Sequence, residues 1–154
     1  MPENQLSNIA FCSTAAYPAV RVQEKNLTYA HLLTQNLFAA KGEMTSVNQY
    51  LYQSWHIFEE TCGLSVAEIF AGLAKAEMRH VNYLGRLIYL LGLNPCCYAM
   101  KNSHPLPWNG TYLNYTVDLK EMLKINILGE KYTLENYRKT MEQINDPNIT
   151  AILE

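Results

Sequence analysis

A chain of 154 residues has room for one hydrophobic core and is short for two. Apolar residues make up 49% of it, charged residues 17%, and the net charge is −2, so neither nucleic acid nor an anionic lipid surface is an expected partner. The opening Met1-Pro2-Glu3-Asn4-Gln5 has neither the basic nor the apolar stretch of a secretory signal. The most apolar run, Leu84–Leu93, is interrupted by Arg86 and closed off by Pro95, so no membrane span is expected. Cys12, Cys62, Cys96 and Cys97 form no C-x-x-C pair, which argues against a zinc ribbon or a four-cysteine iron site. The adjacent Cys96 and Cys97 read as reduced loop thiols, and the protein as cytoplasmic.

In chain order, residues 1–25 show neither helical nor alternating periodicity and contain Pro18, which predicts an extended arm ahead of a helical domain over 26–154. A first helix is predicted from Asn26 or Thr28 to Cys62, with Gly63 placed as its C′ residue. The capping box Ser65-Val66-Ala67-Glu68 starts a second, which keeps Leu73, Ala74, Val81, Leu84 and Ile88 on one face and stops at Gly92 before Asn94-Pro95. Residues 93–117 hold Pro95, Pro105, Pro107 and Gly110 and lack periodicity, as a long crossover would. Asp118-Leu119-Lys120-Glu121 opens a third helix that runs to about Ile144, and Asp146-Pro147 starts a fourth that has barely begun at Glu154.

The second helix carries Glu77-Met78-Arg79-His80, an E-x-x-H pair whose side chains leave one helical face. By itself this pattern is weak. Its position among Leu73, Ala74, Val81 and Leu84 puts it on the stripe expected to be buried, where an ionised carboxylate costs several kcal/mol unless a cation accompanies it. An internal repeat strengthens the case: Gly42-Glu43 with Tyr50 on the first helix, Gly129-Glu130 with Tyr137 on the third. Seven residues are almost two turns, so each tyrosine falls about 20° from its glutamate. Ala39, Ala40 and Val47 flank Glu43, while Leu123, Ile127 and Leu134 flank Glu130, so both carboxylates are expected to face inward.

A glutamate helix, an E-x-x-H helix, a crossover and another glutamate helix resemble the ferritin-like dimetal-carboxylate superfamily, rubrerythrin-type domains most. The run Tyr17-Pro18, Asn26, Tyr29-Ala30-His31-Leu32-Leu33 and Gly42-Glu43 is more loosely similar to the manganese-catalase and spore-coat branch. The resemblance implies an all-α, up-down four-helix bundle with a long crossover between the second and third helices. It implies Glu43, Glu77, His80 and Glu130 as ligands of two metal ions, with Glu77 bridging. Iron is expected before manganese, with reactivity toward peroxide or dioxygen, an external electron donor and a homodimeric state. Tyr50 and Tyr137 are candidates to orient the ligands or simply to pack the core.

The pattern also departs from the family, which has a second E-x-x-H. Glu43 precedes Glu77 by 34 positions, and the same offset from Glu130 falls near position 164, about ten residues past Glu154. A truncated fourth helix is therefore expected. A non-catalytic scaffold or coat protein with a vestigial site is the competing reading, and an iron-storage cage a third. His31 and His56 lie 12 and 13 residues from Glu43, roughly 120° and 140° off its direction, and are not expected as ligands. His104 has no spacing argument; Glu59, Glu60 and Glu135 read as solvated charge, and Trp55, Trp108, Tyr52 and Tyr132 as packing residues.

Overall fold

Side-chain caps start most of the helices. In the computed structural model, which describes residue 11 and residues 16–57, 60–61 and 64–154, the helices are α1 (Leu27–Phe38), α2 (Glu43–His56), α3 (Val66–Leu90), α4 (Leu119–Met141) and α5 (Pro147–Leu153). Asn26, Ser65, Asp118 and Asp146 each accept a hydrogen bond from a backbone amide of the first turn, and Pro147 sits at the start of α5, where its missing N–H is not needed. α3 ends in a Schellman motif: Leu93 N donates to Ile88 O, Gly92 N donates to Tyr89 O, and Gly92 takes φ 98°, which a glycine adopts without strain.

The predicted first helix is not continuous. Ala39 is extended, Gly42 N donates to Ala39 O, and α2 restarts with Gly42 as its N-cap. The break brings the start of α2 so close to the end of α1 that a Cβ on Gly42 would lie 2.6 Å from Asn36 O and 2.8 Å from Leu37 C and O. α2 also stops at His56 rather than Cys62, and Glu60–Thr61 (β1) pairs antiparallel with Leu64–Ser65 (β2). The proposed C′ residue Gly63 lies outside the described residues, as do Cys12, Cys62 and Glu59.

The crossover holds a hairpin that periodicity did not show, β3 (Tyr98–Lys101) against β4 (His104–Pro107), turning at Asn102 and Ser103, both with positive φ. It is tied to the helices by polar bonds. Met100 N donates to Thr34 Oγ1 at 3.0 Å, and Trp108 Nε1 donates to Thr45 Oγ1 at 2.8 Å. Gln49 exchanges two bonds with the Asn114 backbone, at 2.8 and 2.7 Å. Residues 16–25 contain no helix or strand; Tyr17 stacks on Tyr83 of α3, and Gln23 N donates to the Asp146 carboxylate.

α2 and α4 run antiparallel, as their cross-links show: Tyr137 to Glu43, Tyr50 to Glu130, and Gln53 to Asn126. The buried apolar side chains form two clusters. One joins α1, the C-terminal half of α3, β3 and α5 through Leu33, Leu37, Leu87, Ile88 and Ile149; the other joins Tyr50, Ile57, Phe70, Ala74 and Met122. Among the described residues, no helix is long and apolar enough to cross a membrane.

Candidate metal centre

Glu43 owes its place to the helix break. It is the first residue of α2, 1% exposed, and the positive end of the helix dipole favours its negative charge. α3 contributes Glu77, also buried, and His80 one turn later, as the i, i+3 spacing requires. His80 Nδ1 lies 2.7 Å from Glu77 Oε2 and 3.8 Å from Glu43 Oε1. One donor atom from each of Glu43, Glu77 and His80 falls within 4.8 Å of the others. A divalent ion of manganese or iron size takes carboxylate oxygen and imidazole nitrogen together, so the donor set fits such an ion.

In the absence of metal the cluster holds a proton on His80. The carboxylate of Glu43, then the closer one of Glu77, raises the His80 pKa to about 10 against the opposing effect of burial, so His80 is an imidazolium at neutral pH. Loss of hydration raises Glu77, Glu43 adds to the rise, and the hydrogen bond from His80 works against it. Tyr50 and Tyr137 are both pushed well above the ordinary phenol range, by burial first, and remain protonated donors.

The two tyrosines are used crosswise. Tyr137 of α4 donates to Glu43 Oε1 of α2, and Tyr50 of α2 donates to Glu130 Oε1 of α4 at 2.5 Å. Each tyrosine of the repeat serves the other copy's glutamate, because antiparallel packing sets each Gly-Glu segment beside the opposite tyrosine. Next along, Gln53 and Asn126 exchange side-chain bonds at 3.0 and 2.8 Å, and Gln53 is fully buried. Sequence reasoning passed over Gln49, Gln53 and Asn126; amides one to three turns from the glutamates do not announce their partners.

Glu130 is placed differently from the expectation of an inward-facing carboxylate. It lies outside the close group of Glu43, Glu77 and His80, and as a residue it is exposed. Its carboxyl nevertheless tucks under Tyr50; lost hydration raises its pKa, the Tyr50 bond lowers it, and Glu77 and His80 both act on it. Its neighbours Leu123, Ile127 and Leu134 are 47%, 56% and 57% exposed, so that stripe of α4 is uncovered rather than core.

The discounted histidines stay apart: His56 bonds Tyr52 O at 2.9 Å, and His104 is exposed on β4. Glu135 is an exposed partner of Lys139. Trp108 packs as expected, whereas Trp55 is 64% exposed. Tyr52 meets Tyr115 edge-on, and the Lys41 ammonium lies over the Tyr132 ring. Cys96 and Cys97 are exposed free thiols.

Comparison with known proteins agrees with this architecture. The chain is 26% identical over 156 residues to a probable manganese catalase of Clostridium acetobutylicum, an alignment covering 88% of this chain and 66% of that protein. It thus spans just under two thirds of the length of that curated relative. Two crystal structures of KatB, a manganese catalase from Anabaena, superpose with a TM-score of 0.78 at 23% identity, covering 94% of this chain and 71% of theirs. That likeness establishes an all-α ferritin-like bundle with a long crossover. The relatives lie on the manganese-catalase branch, to which the sequence match is the looser one. Residues 39–153 match the ferritin-like domain, three quarters of the chain including Glu43, Glu77, His80 and Glu130, and the protein belongs to that family.

Proposed function

We propose that the chain is a dimetal-carboxylate protein that holds manganese between α2, α3 and α4 and acts on peroxide. The observation that carries this reading is the convergence of Glu43, Glu77 and His80 Nδ1 within 4.8 Å in a largely buried setting. Glu43 and His80 would hold one ion and Glu130 the other, with Glu77 shared. The sequence alone favoured iron; the manganese catalases among the relatives favour manganese, since the ligand chemistry accepts either.

Bound manganese would supply a couple able to take two electrons from one peroxide and return them to another. The chain's own residues prepare that chemistry. Tyr137 and Tyr50 fix one oxygen each of Glu43 and Glu130, which limits how those carboxylates turn. His80 gives up a proton from Nδ1 to become a ligand. Glu130 keeps its carboxyl under Tyr50, where lost hydration raises its pKa in the absence of metal and a bound ion would hold it ionised. Where the reaction is peroxide reduction alone, the electrons come from an external donor.

Metal analysis tests this reading. The manganese-loaded protein should retain the metal after gel filtration and evolve oxygen from hydrogen peroxide, while Glu77→Ala and His80→Ala should lose both properties. Manganese content unchanged in both variants would overturn the assignment. A second reading, a helical scaffold or coat component, has one observation in its favour, the uncovered stripe Leu123, Ile127 and Leu134. That stripe is also the face on which a homodimer would be built. Size-exclusion chromatography separates a dimer from an iron-storage shell.

A further inference from the structure

We propose that the segment ahead of α1 is a strap laid against α3, and that it sets the rate at which a divalent ion enters and leaves the His80 side of the centre. This rests on the reading of the site as a metal centre. Within the close ligand group Glu43 and Glu77 are 1% and 8% exposed, whereas the His80 side chain is 38% exposed. His80 is therefore the member through which that group meets the outside. It lines a cavity of about 430 Å³, and so does Tyr137, the donor to Glu43. Tyr17 and Pro18, from the segment ahead of α1, supply another part of the same wall. The cavity is thus bounded by the centre on one side and by the strap on another.

Aromatic contacts hold the strap around the ligand. The Tyr17 ring stacks on Tyr83 with centroids 5.1 Å apart, and the Arg79 guanidinium lies over the Tyr17 ring, 5.8 Å from its centroid. Arg79 directly precedes His80 and Tyr83 follows one turn later, so the grip on Tyr17 brackets the imidazole. Phe11 makes a second anchor, about two turns earlier on α3. Its ring takes the place of a side chain on Gly72, where a Cβ would lie 2.6–2.7 Å from the ring carbons. Glycine is unfavourable inside a helix, and the Phe11 ring is what requires it here. Downstream, Val20 and Val22 pack against the cluster of α1, α3 and α5, and Gln23 N donates to the Asp146 carboxylate at 2.8 Å. Residues 16–22 form no helix or strand, so the strap can lift locally while the bundle stays folded. Entry and exit cross the same barrier, which slows both alike and leaves the equilibrium affinity unchanged.

Rates of manganese uptake and of release to excess EDTA, with the dissociation constant measured separately, test the strap in Tyr17→Ala, Tyr17→Phe, Gly72→Ala and Tyr89→Ala. Gly72→Ala displaces Phe11 without altering a residue of the cavity, and Tyr89, 70% exposed on α3, is the control. Tyr17→Ala and Gly72→Ala should each exchange manganese at least fivefold faster in both directions, with a dissociation constant within twofold of wild type. Tyr17→Phe keeps the ring, and it should match wild type, as should Tyr89→Ala. A merely structural role for Tyr17 would instead weaken affinity at an unchanged uptake rate. A metal-free readout runs beside these. Diethyl pyrocarbonate should modify His80 at least fivefold faster in Tyr17→Ala and Gly72→Ala, while His31, His56 and His104 in the same peptide map react at wild-type rates. Unchanged manganese exchange in Tyr17→Ala, unchanged His80 modification, or lost affinity at an unchanged uptake rate each overturns the strap. A wild-type protein that retains no manganese sinks the metal reading instead, and the modification rates still decide whether the strap shields His80.

Discussion

Removing the Tyr137 hydroxyl should do more harm than removing the Tyr50 hydroxyl, although the two sit at matching positions of a sequence repeat. Tyr137 donates to Glu43, which is 1% exposed, so Tyr137→Phe leaves a buried carboxylate short of a partner with no water to replace it. A hydrogen bond to a charged group contributes about 1.5–3 kcal/mol, and the buried acceptor retains only part of that through His80 Nδ1 at 3.8 Å. Tyr50 donates to Glu130, an exposed residue that water can rehydrate, so Tyr50→Phe should cost about 0.5–1.5 kcal/mol. For a domain of this size each kcal/mol lowers the melting temperature by roughly 2–4 °C, which separates metal-free Tyr137→Phe from Tyr50→Phe by several degrees. Thermal melts with urea titrations measure the difference, and Tyr137→Phe should also weaken manganese binding on the order of tenfold. Equal destabilisation by the two substitutions, or a larger effect from Tyr50→Phe, would refute the reasoning.

Gly42→Ala sets a methyl 2.6–2.8 Å from the backbone of Asn36 and Leu37, so α2 must shift away from α1; a loss of about 1–3 kcal/mol by urea denaturation is expected, with reduced metal retention. The His80 pKa is raised above its ordinary value of 6.5 to about 10, so the stabilisation from its proton is complete below pH 6.5 and disappears as pH rises through 10. The difference in melting temperature between metal-free wild type and His80→Gln should accordingly shrink across that window. Because binding through Nδ1 displaces that proton, manganese affinity measured by calorimetry should rise about tenfold per pH unit from 6.5 to 8.5. Gln53→Ala leaves the half-buried Asn126 amide without its partner and should cost about 0.5–1.5 kcal/mol, and a double-mutant cycle with Asn126→Ala should recover a coupling energy of similar size.

The sequence by itself determined the starts of α1, α3, α4 and α5 and the donor types. Ser65, Asp118 and Asp146 are local caps that act within one turn, and Glu77 and His80 share a face because helical pitch leaves no other outcome. The repeat of Gly-Glu and tyrosine marked both glutamate helices for the same reason. What neighbouring helices do to each other was beyond such local rules. The restart of α2 at Glu43 depends on the backbone of Asn36 and Leu37 meeting Gly42, and a helical period running through 38–43 does not register that contact. The exchange of tyrosine partners is decided by the antiparallel direction of α2 and α4. Exposure of Leu123, Ile127 and Leu134 is likewise a tertiary fact, since periodicity identifies an apolar stripe but not whether another element lies against it.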